Sequence, residues 1–319
     1  MTIKKKKIKG KFYYYLEKNL RIGENKWKTF SVYLGSKKPA RKELGNAEKK
    51  LNRKLNLYIK SSILRPNTKF IDKKTALLLE RIKTTHKKLL EKLDKKNRAE
   101  HTKRQRETFI TNTNAIEGSR LTLEQTKKIM ELKEKYESED VEELEVINME
   151  NALDLYDKLL EKKVDLTQKL ILSLHMFILK TIPNYEKHAG SFRTVNVYIR
   201  SSKYYFPDWK EIQRLMSELL LWYNQNKDKI HPVELAAIFH AKFVTIHPFA
   251  DGNGRMARLL MNYILQLNRY PFIDIEFSKR DEYFKTQEEG HFKRYKPFVL
   301  FLINQLKTQF KKFKRKIKN

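Results

Sequence analysis

Apolar residues recur every three or four positions along most of the chain after about residue 75, the spacing of a helix with one buried face. The clearest helices flank residue 250. Residues 233–246 are apolar at helical spacing, and Pro248 and Gly252 end that helix. Residues 256–267 repeat the pattern, so a second helix is predicted to begin near 254–255. The chain is therefore predicted to be mainly α-helical.

The beginning of the chain follows a different pattern, with aromatic and β-branched residues in place of the helical repeat. Residues 8–35 are predicted to form two or three short strands of a β-meander, with a turn at Gly23–Asn25. Residues 40–64 are predicted to form a lysine-rich helix, which ends at Arg65–Asn67, the best domain boundary. A long, mostly polar connecting helix is predicted over residues 75–109.

The loop between the two apolar helices contains an unusual set of side chains. Residues His247–Arg258 read His-Pro-Phe-Ala-Asp-Gly-Asn-Gly-Arg-Met-Ala-Arg. The N-terminus of the second helix offers unpaired N–H groups and a positive dipole end to an anion such as phosphate. Gly252 and Gly254 let the backbone approach that ligand. Arg255 and Arg258 are one turn apart, so both can bind phosphate oxygens.

Two other side chains of this loop can take part in chemistry. Asp251 can hold a divalent cation against the phosphate oxygens. His247, with an unperturbed pKa near ~6.5, can take a proton from an incoming hydroxyl. The loop is therefore predicted to combine an anion site, a cation ligand and a general base.

These twelve residues resemble the complete signature of Fic (Fido) proteins, which transfer AMP from ATP to protein hydroxyls. The resemblance implies that His247 is the general base, that Asp251 places Mg²⁺ and that Phe249 anchors the loop in the core. Relatives such as the Doc-type kinases carry Lys where this chain has Gly254, so the resemblance favours adenylylation. The ATP-binding residues of the loop would be Asp251, Gly252, Asn253, Gly254, Arg255 and Arg258.

A second motif lies upstream. Thr113-Asn-Ala-Ile-Glu117-Gly118 resembles the inhibitory motif of Fic proteins, in which the Glu pairs with the second Arg of the signature, here Arg258. In the family, this pairing denies the γ-phosphate of ATP its productive site. A carboxylate and a triphosphate would compete for one guanidinium in a partly desolvated cleft. Glu117 is therefore predicted to be a built-in brake.

Residues 190–207 interrupt the helical pattern with β-branched residues and are predicted to form a short hairpin with a turn at Ser201–Lys203. In Fic proteins the corresponding hairpin is a flap that clamps the target segment by strand addition and lies over the nucleotide. The resemblance implies four flap residues near ATP: Val197, Tyr198, Ile199 and Arg200. It also implies that Tyr283 and His291 contact the adenosine.

Composition limits the class of protein further. The chain has no cysteine, which excludes disulfides and thiolate metal sites. No apolar run approaches the ~18 residues of a membrane span, so we expect a soluble, cytoplasmic protein without a membrane partner. The net charge is +31, and residues 1–66 hold twenty basic but only four acidic side chains. Such a field attracts nucleic acid, anionic lipid or acidic proteins, although a lysine-rich genome composition is an alternative explanation.

The resemblance covers about residues 111–305 and implies a helical Fic core with a β-hairpin flap, to which the small N-terminal β-meander is added. The predicted domains are 1–66 (binding module), 67–110 (connecting helix), 111–305 (Fic domain) and 306–319 (basic tail). The predicted function is an AMP transferase that uses ATP and Mg²⁺ on a Ser, Thr or Tyr of a flap-held protein or of itself. Homodimerisation stays open. The alternatives are a hydrolase that removes AMP with the help of Glu117, and a nucleic-acid-binding regulator acting through residues 1–66.

Overall fold

The computed structural model describes residues 1–21, 27–62, 65, 67–132, 138–199, 202 and 204–317. The chain divides into two compact units, Met1–Leu64 and Arg65–Asn319. The domain limits predicted at 66, 110 and 305 stay predictions.

The N-terminal unit is a three-stranded antiparallel sheet with one helix. Its strands β1 (Thr2–Ile8), β2 (Lys11–Arg21) and β3 (Trp27–Gly35) lie in chain order. Helix α1 (Arg41–Ser62) covers one face of the sheet. The core between them consists of Leu16, Val32, Ala47, Leu51 and Leu55. The predicted β-meander is confirmed.

Strand β1 begins earlier than the prediction, at Thr2 instead of near residue 8. The reason is that Lys4–Lys7 shows no apolar alternation, so only the backbone ladder to β2 makes this segment a strand. The predicted turn at Gly23–Asn25 lies outside the described residues.

The second unit is helical in its described part. Its helices are α2 (Lys73–Lys92), α3 (Lys95–Glu117), α4 (Leu123–Leu132), α5 (Val141–Glu161), α6 (Gln168–Leu179), α7 (Ile212–Asn226), α8 (Pro232–Ile246), α9 (Asn253–Leu267), α10 (Arg280–His291) and α11 (Lys296–Lys316). Three single 3-10 turns lie at Glu186–His188, Trp209–Glu211 and Phe277–Lys279. Nearly every residue of α8 and α9 is buried, so this pair forms the centre of the unit.

The single helix predicted over residues 75–109 is wrong, because this segment contains nearly all of α2 and the first two-thirds of α3. Asp94 separates them. Its carboxylate accepts the N–H of Asn97 at 2.8 Å and caps the start of α3. Helix α3 then continues to Glu117, where Gly118 (φ 121°) ends it.

The described residues of 190–207 contain no strand, and Ser201 and Lys203 of the predicted turn lie outside them, so the hairpin stays a prediction. Side-chain hydrogen bonds connect the described parts of this segment. The Arg193 guanidinium donates to the carbonyls of Val195 (2.8 Å) and Pro207 (2.6 Å). Asn196 Oδ1 accepts the Trp209 N–H at 2.9 Å. Arg193 therefore ties the two ends of the segment together.

Candidate active site

The loop between α8 and α9 is bounded by two residues in the left-handed conformation. His247 ends α8 with φ 51°, which is uncommon for a residue other than glycine. Gly252 precedes α9 with φ 78°, and a Cβ at this position would lie 3.2 Å from the Ile178 side chain. Glycine is therefore needed at 252 for both backbone conformation and space.

Phe249 and Asn253 close the loop on itself. The Phe249 N–H donates to Asn253 Oδ1 and the Asn253 amide donates to the Phe249 carbonyl, both at 2.9 Å. The Phe249 ring is completely buried. The Asn253 side chain is thus engaged in the loop, which fixes the start of α9 in place.

His175 of α6 supports this loop from below. Its ring stacks on Phe249 with centroids 3.5 Å apart. Its Nδ1 accepts the Gly190 N–H at 3.1 Å, so Nε2 carries the proton and donates to the Asp251 carbonyl at 3.0 Å. Burial lowers the pKa of His175 to about 4, so the ring is neutral at pH 7. Sequence reasoning missed this residue, whose one signal is a histidine within an apolar helix.

His247 is oriented as a proton acceptor. Its Nδ1 lies 3.3 Å from the Val244 carbonyl, which fixes the proton on Nδ1 and leaves the lone pair on Nε2. Burial lowers the pKa of His247 to about 4, although the Val244 carbonyl opposes the shift. The ring packs against Phe206 at 4.4 Å, and the Arg193 side chain donates to the His247 carbonyl at 2.8 Å. The ring is therefore a neutral base at pH 7.

Arg255 is held between two carboxylates. It donates to Glu145 of α5 and to Asp251, each at 2.7 Å, and its side chain is 3% exposed. Burial raises the pKa of Glu145, and the charge of Arg255 opposes that shift. Glu145 lies 110 positions from Arg255, and nothing in the sequence pointed to it.

Arg258 is bound to the end of α3. Its guanidinium donates to Glu117 Oε1 (2.7 Å), to the Thr113 hydroxyl (2.7 Å) and to the Thr113 carbonyl (2.9 Å). It also lies 3.4 Å from the Tyr283 hydroxyl, which is hydrogen-bonded to His240 at 2.9 Å. Burial alone lowers the pKa of Arg258, but Glu117 and Tyr283 outweigh it, so the guanidinium stays charged. The pair that the resemblance implied, Glu117 with Arg258, is formed.

The Glu117 carboxylate also lies against the N-terminus of α9. A Cβ at Gly254 would overlap this carboxylate, and it would lie 3.1 Å from an Arg258 nitrogen. A side chain at 254 is thus excluded while Glu117 is in this position. The carboxylate thereby occupies the place that favours an anion, at a helix N-terminus beside a guanidinium.

The residues outside the loop that were predicted to contact the nucleotide differ widely in their exposure to solvent. Tyr198 is 75% exposed and Ile199 38% exposed, Val197 is half-buried, and Arg200 lies outside the described residues. Tyr283 is fully buried behind Arg258.

The predicted adenosine residue His291 is packed between aromatic rings and is nearly buried. The Tyr204 ring stacks on it at 4.7 Å, and Phe206 meets it edge-on at 5.7 Å. Its Nδ1 lies 3.0 Å from the Thr245 hydroxyl. Because Phe206 also contacts His247, this aromatic cluster connects His291 to the loop.

Asp251, the carboxylate of the loop, could serve as a single protein ligand of a divalent cation. Asp251 is 42% exposed and keeps one oxygen outside its Arg255 bond. Among the described residues, no group of three or more His, Asp or Glu side chains is placed to hold a metal. Mg²⁺ commonly binds through one or two carboxylates together with substrate phosphates, and Asp251 fits that pattern. No helix in the described part of the chain is long and apolar enough to span a bilayer.

Comparison with known proteins agrees with this geometry. Protein adenylyltransferase Fic of Drosophila melanogaster is 36% identical over 194 residues, which is 59% of this chain and 38% of the relative. The chain thus spans somewhat over a third of that relative's length. A Fic domain containing signaling protein from Bacteroides thetaiotaomicron superposes with a TM-score of 0.63 at 26% identity, covering 72% of this chain and 95% of that one. Fic-1 of C. elegans shares the fold, with a TM-score of 0.67 at 24% identity over 88% and 79% of the two chains.

The family model extends over the centre of the second unit. It matches residues 165–265, which include His175 and the whole loop from His247 to Arg258, whereas Glu117 lies outside the match. The helical fold predicted from the resemblance is confirmed. The Fic/DOC family model thus matches residues 165–265, and the chain is similar to Fic proteins over this part of its second unit.

Proposed function

We propose that this protein transfers AMP from ATP to a Ser, Thr or Tyr hydroxyl of a protein and that Glu117 restrains the reaction. The observation that supports this most is the ion pair of Glu117 with Arg258 at the N-terminus of α9. It places a removable anion on the phosphate site, next to a loop that carries a neutral histidine. The name of the curated relatives, protein adenylyltransferase, supports the reaction class.

In the proposed reaction, His247 Nε2 takes the proton of the acceptor hydroxyl. The hydroxyl oxygen forms a bond to the α-phosphorus of ATP while the bond from that phosphorus to the bridging oxygen breaks. Pyrophosphate leaves with the electron pair. The N–H groups at the start of α9 and the Arg255 guanidinium stabilise the charge that develops, and the fixed loop keeps the reactants in position.

Asp251 would hold Mg²⁺ on the triphosphate through its exposed oxygen. A bound Mg²⁺ neutralises phosphate charge and polarises the P–O bonds. Arg255 keeps the carboxylate oriented from the other side at 2.7 Å. The His175 hydrogen bond to the Asp251 carbonyl fixes the backbone of the same residue.

Glu117 inhibits by occupying the γ-phosphate position. Its carboxylate accepts from Arg258 and lies over Gly254, so the triphosphate cannot use this guanidinium until Glu117 leaves. The carboxylate is about one-third exposed. A rotation toward solvent is therefore open to it.

The protein acceptor would lie beside the extended segment that contains Val197, Tyr198 and Ile199. These side chains are exposed or half-buried, and Arg193 binds both ends of the segment. A segment without regular secondary structure can pair with an extended peptide through its backbone N–H and C=O groups. Residues of the protein's own chain are acceptors of the same class.

The test is incubation with ATP labelled on the α-phosphate. Wild type, Glu117→Gly and Glu117→Gly/His247→Ala are compared for label retained on protein, with matched circular dichroism spectra. We expect strong labelling only in Glu117→Gly. Label in the double variant at the same level would refute His247 as base. Absence of label from Glu117→Gly would refute AMP transfer to itself, and a panel of candidate proteins would then separate a missing acceptor from a missing activity.

A further inference from the structure

The N-terminal sheet has one covered and one open face. Residues directly opposite in an antiparallel ladder point to the same side. Leu16 pairs with Ile3 and Val32 on the side that α1 covers. One residue earlier, Tyr15 pairs with Lys4 and Tyr33, so these three side chains lie on the opposite side. We call this side the open sheet face, and it includes Lys4, Lys6, Tyr13, Tyr15, Trp27 and Tyr33.

The open sheet face is both basic and aromatic. Trp27 is 63% and Tyr33 55% exposed, and Lys4 and Lys6 are exposed at one edge. Lys6 lies 2.7 Å from Glu17 and 5.2 Å from the Tyr15 ring centroid. Residues 1–66 hold twenty basic and four acidic side chains, so their own carboxylates cannot neutralise this charge. A polyanion complements such a surface.

The polar side chains of the open sheet face favour double-stranded nucleic acid as its ligand. Asn19 and Thr29 lie side by side, with the Thr29 hydroxyl donating to Asn19 at 2.8 Å, and Ser31 lies opposite Glu17. Amide and hydroxyl groups read base edges in the major groove. Three strands at ~4.8 Å spacing are roughly 10 Å wide, which suits a major groove of about 12 Å.

The tyrosines disfavour a single-stranded ligand. Binding of single strands relies on aromatic rings that bases can stack upon. On this sheet the Tyr33 ring packs at 5.4 Å from Tyr15 and 6.1 Å from Tyr13, tilted by 54° and 50°. Each of these rings thus packs against a neighbouring ring, which leaves less of its surface for a stacked base.

We propose that the open sheet face binds duplex DNA in its major groove, with Lys4 and Lys6 on the phosphates at the strand edge. Sheet strands are an established element for major-groove contact. The interaction would be independent of the nucleotide site, since no residue of His247–Arg258 belongs to this face.

The test measures fluorescence anisotropy of a short labelled duplex with full-length protein, without nucleotide, over roughly 50–200 mM salt. Lys4→Gln/Lys6→Gln is compared with Lys49→Gln/Lys50→Gln, which removes the same charge from exposed positions of α1. Each phosphate contact adds about 0.9 to the magnitude of the log–log salt slope, so the first variant should lose about 1.8 and the second none. Trp27→Ala should weaken binding at an unchanged slope.

Three outcomes would overturn this assignment. If the salt slope decreased equally in the two lysine variants, DNA would be bound by the basic charge of the whole unit and not by the open sheet face. Tighter binding of single-stranded DNA or RNA of the same length would mean a different ligand. Absence of binding at roughly 50 mM salt, by protein with an unchanged melting temperature, would mean that nucleic acid is not a partner. His247→Ala should bind the duplex as wild type does.

Discussion

The start of α9 and the open sheet face are both cationic, but they hold their charges differently. At α9, Arg255 and Arg258 are almost fully buried, and each already binds a carboxylate of another helix. On the sheet, the lysines are exposed and far outnumber the acids of the same unit. A buried guanidinium with an internal partner is selective, because a ligand must replace that partner. Exposed lysines can bind any polyanion, and added salt weakens this interaction by screening the charges.

The largest effect is expected when the proposed base of the buried site, His247, is removed. In the Glu117→Gly background, His247→Ala should lower AMP transfer by about 10²–10⁴-fold, the usual contribution of general base catalysis. ATP affinity should hardly change, because the ring is placed to accept a proton through Nε2. Labelled-AMP transfer and calorimetric titration with ATP measure the two quantities. His188→Ala, in a short surface turn, is the control, and an equal loss there would refute the assignment.

The second test concerns the partner that Arg258 would have to give up. Glu117→Gly should raise ATP affinity by about 10–100-fold, since breaking a buried pair costs a few kcal/mol. The ATP affinity of Glu117→Gln should lie between those of wild type and Glu117→Gly, because the amide can still accept a hydrogen bond from Arg258 but carries no charge. Titration calorimetry gives the ranking. Glu142→Gln removes a carboxylate that binds Ser119 and the Arg120 N–H just beyond α3, and it should leave ATP affinity unchanged.

A third test separates packing from hydrogen bonding beneath the loop. His175→Phe keeps a ring on Phe249 but leaves the Gly190 N–H and the Asp251 carbonyl without their partner. We expect a loss of about 2–3 kcal/mol in unfolding free energy from these two buried groups. Urea denaturation measures it. A loss below about 0.5 kcal/mol would mean that His175 contributes to stability through ring stacking and not through its hydrogen bonds.

The fourth test concerns the dependence of stability on pH, and in particular the contribution of the single residue His175. The pKa of His175 is about 4 in the folded chain against an ordinary 6.5, so as the pH falls the unfolded chain takes up the proton first. Stability is complete above pH 6.5 and is lost progressively toward pH 4. At pH 5 the loss from His175 is about 2 kcal/mol. His86, His247 and His231, with pKa values of about 4, 4 and 3, act in the same direction.

Urea midpoints at pH 7.5 and 5.0 check this expectation. The His175→Phe variant should show the shallower dependence, since it lacks one of these groups. An identical pH dependence in wild type and variant would mean that His175 is not protonated on unfolding in this range.

The place of the loop between two helices could be predicted from the sequence, because the residues expected to act there are contiguous. His247, Asp251 and the two arginines fall within twelve positions, and the helical repeats on either side locate them. Glu117 was predicted through its resemblance to an inhibitory motif. Glu145 and His175 could not be found in this way, because they reach the loop from 110 and 76 positions away. Only tertiary packing brings them there.

Local backbone choices explain the remaining differences. An aspartate inside a helical repeat is ambiguous, and at Asp94 it caps a new helix instead of continuing the old one. The alternating residues after Gly190 favour a hairpin, whereas in the described residues the Arg193 guanidinium, and not a strand ladder, binds the carbonyls of Val195 and Pro207. Lys4–Lys7 gives no strand signal, and the pairing with β2 decides its conformation.

The way in which Arg258 is bound to α3 determines how fast the proposed inhibition by Glu117 could be relieved. Two of its three bonds to that helix go to Thr113, and only the third goes to Glu117. Glu117 can therefore rotate away while Arg258 and the helix stay in place. Exposed side chains rotate within picoseconds to nanoseconds. Even with the few kcal/mol needed to break the ion pair, Glu117 would rotate faster than typical turnovers of about 1–10³ per second. Under the proposed function, inhibition would then be an equilibrium between Glu117 rotamers, so any partner that shifts this equilibrium would change the rate of AMP transfer gradually and not in an all-or-none manner.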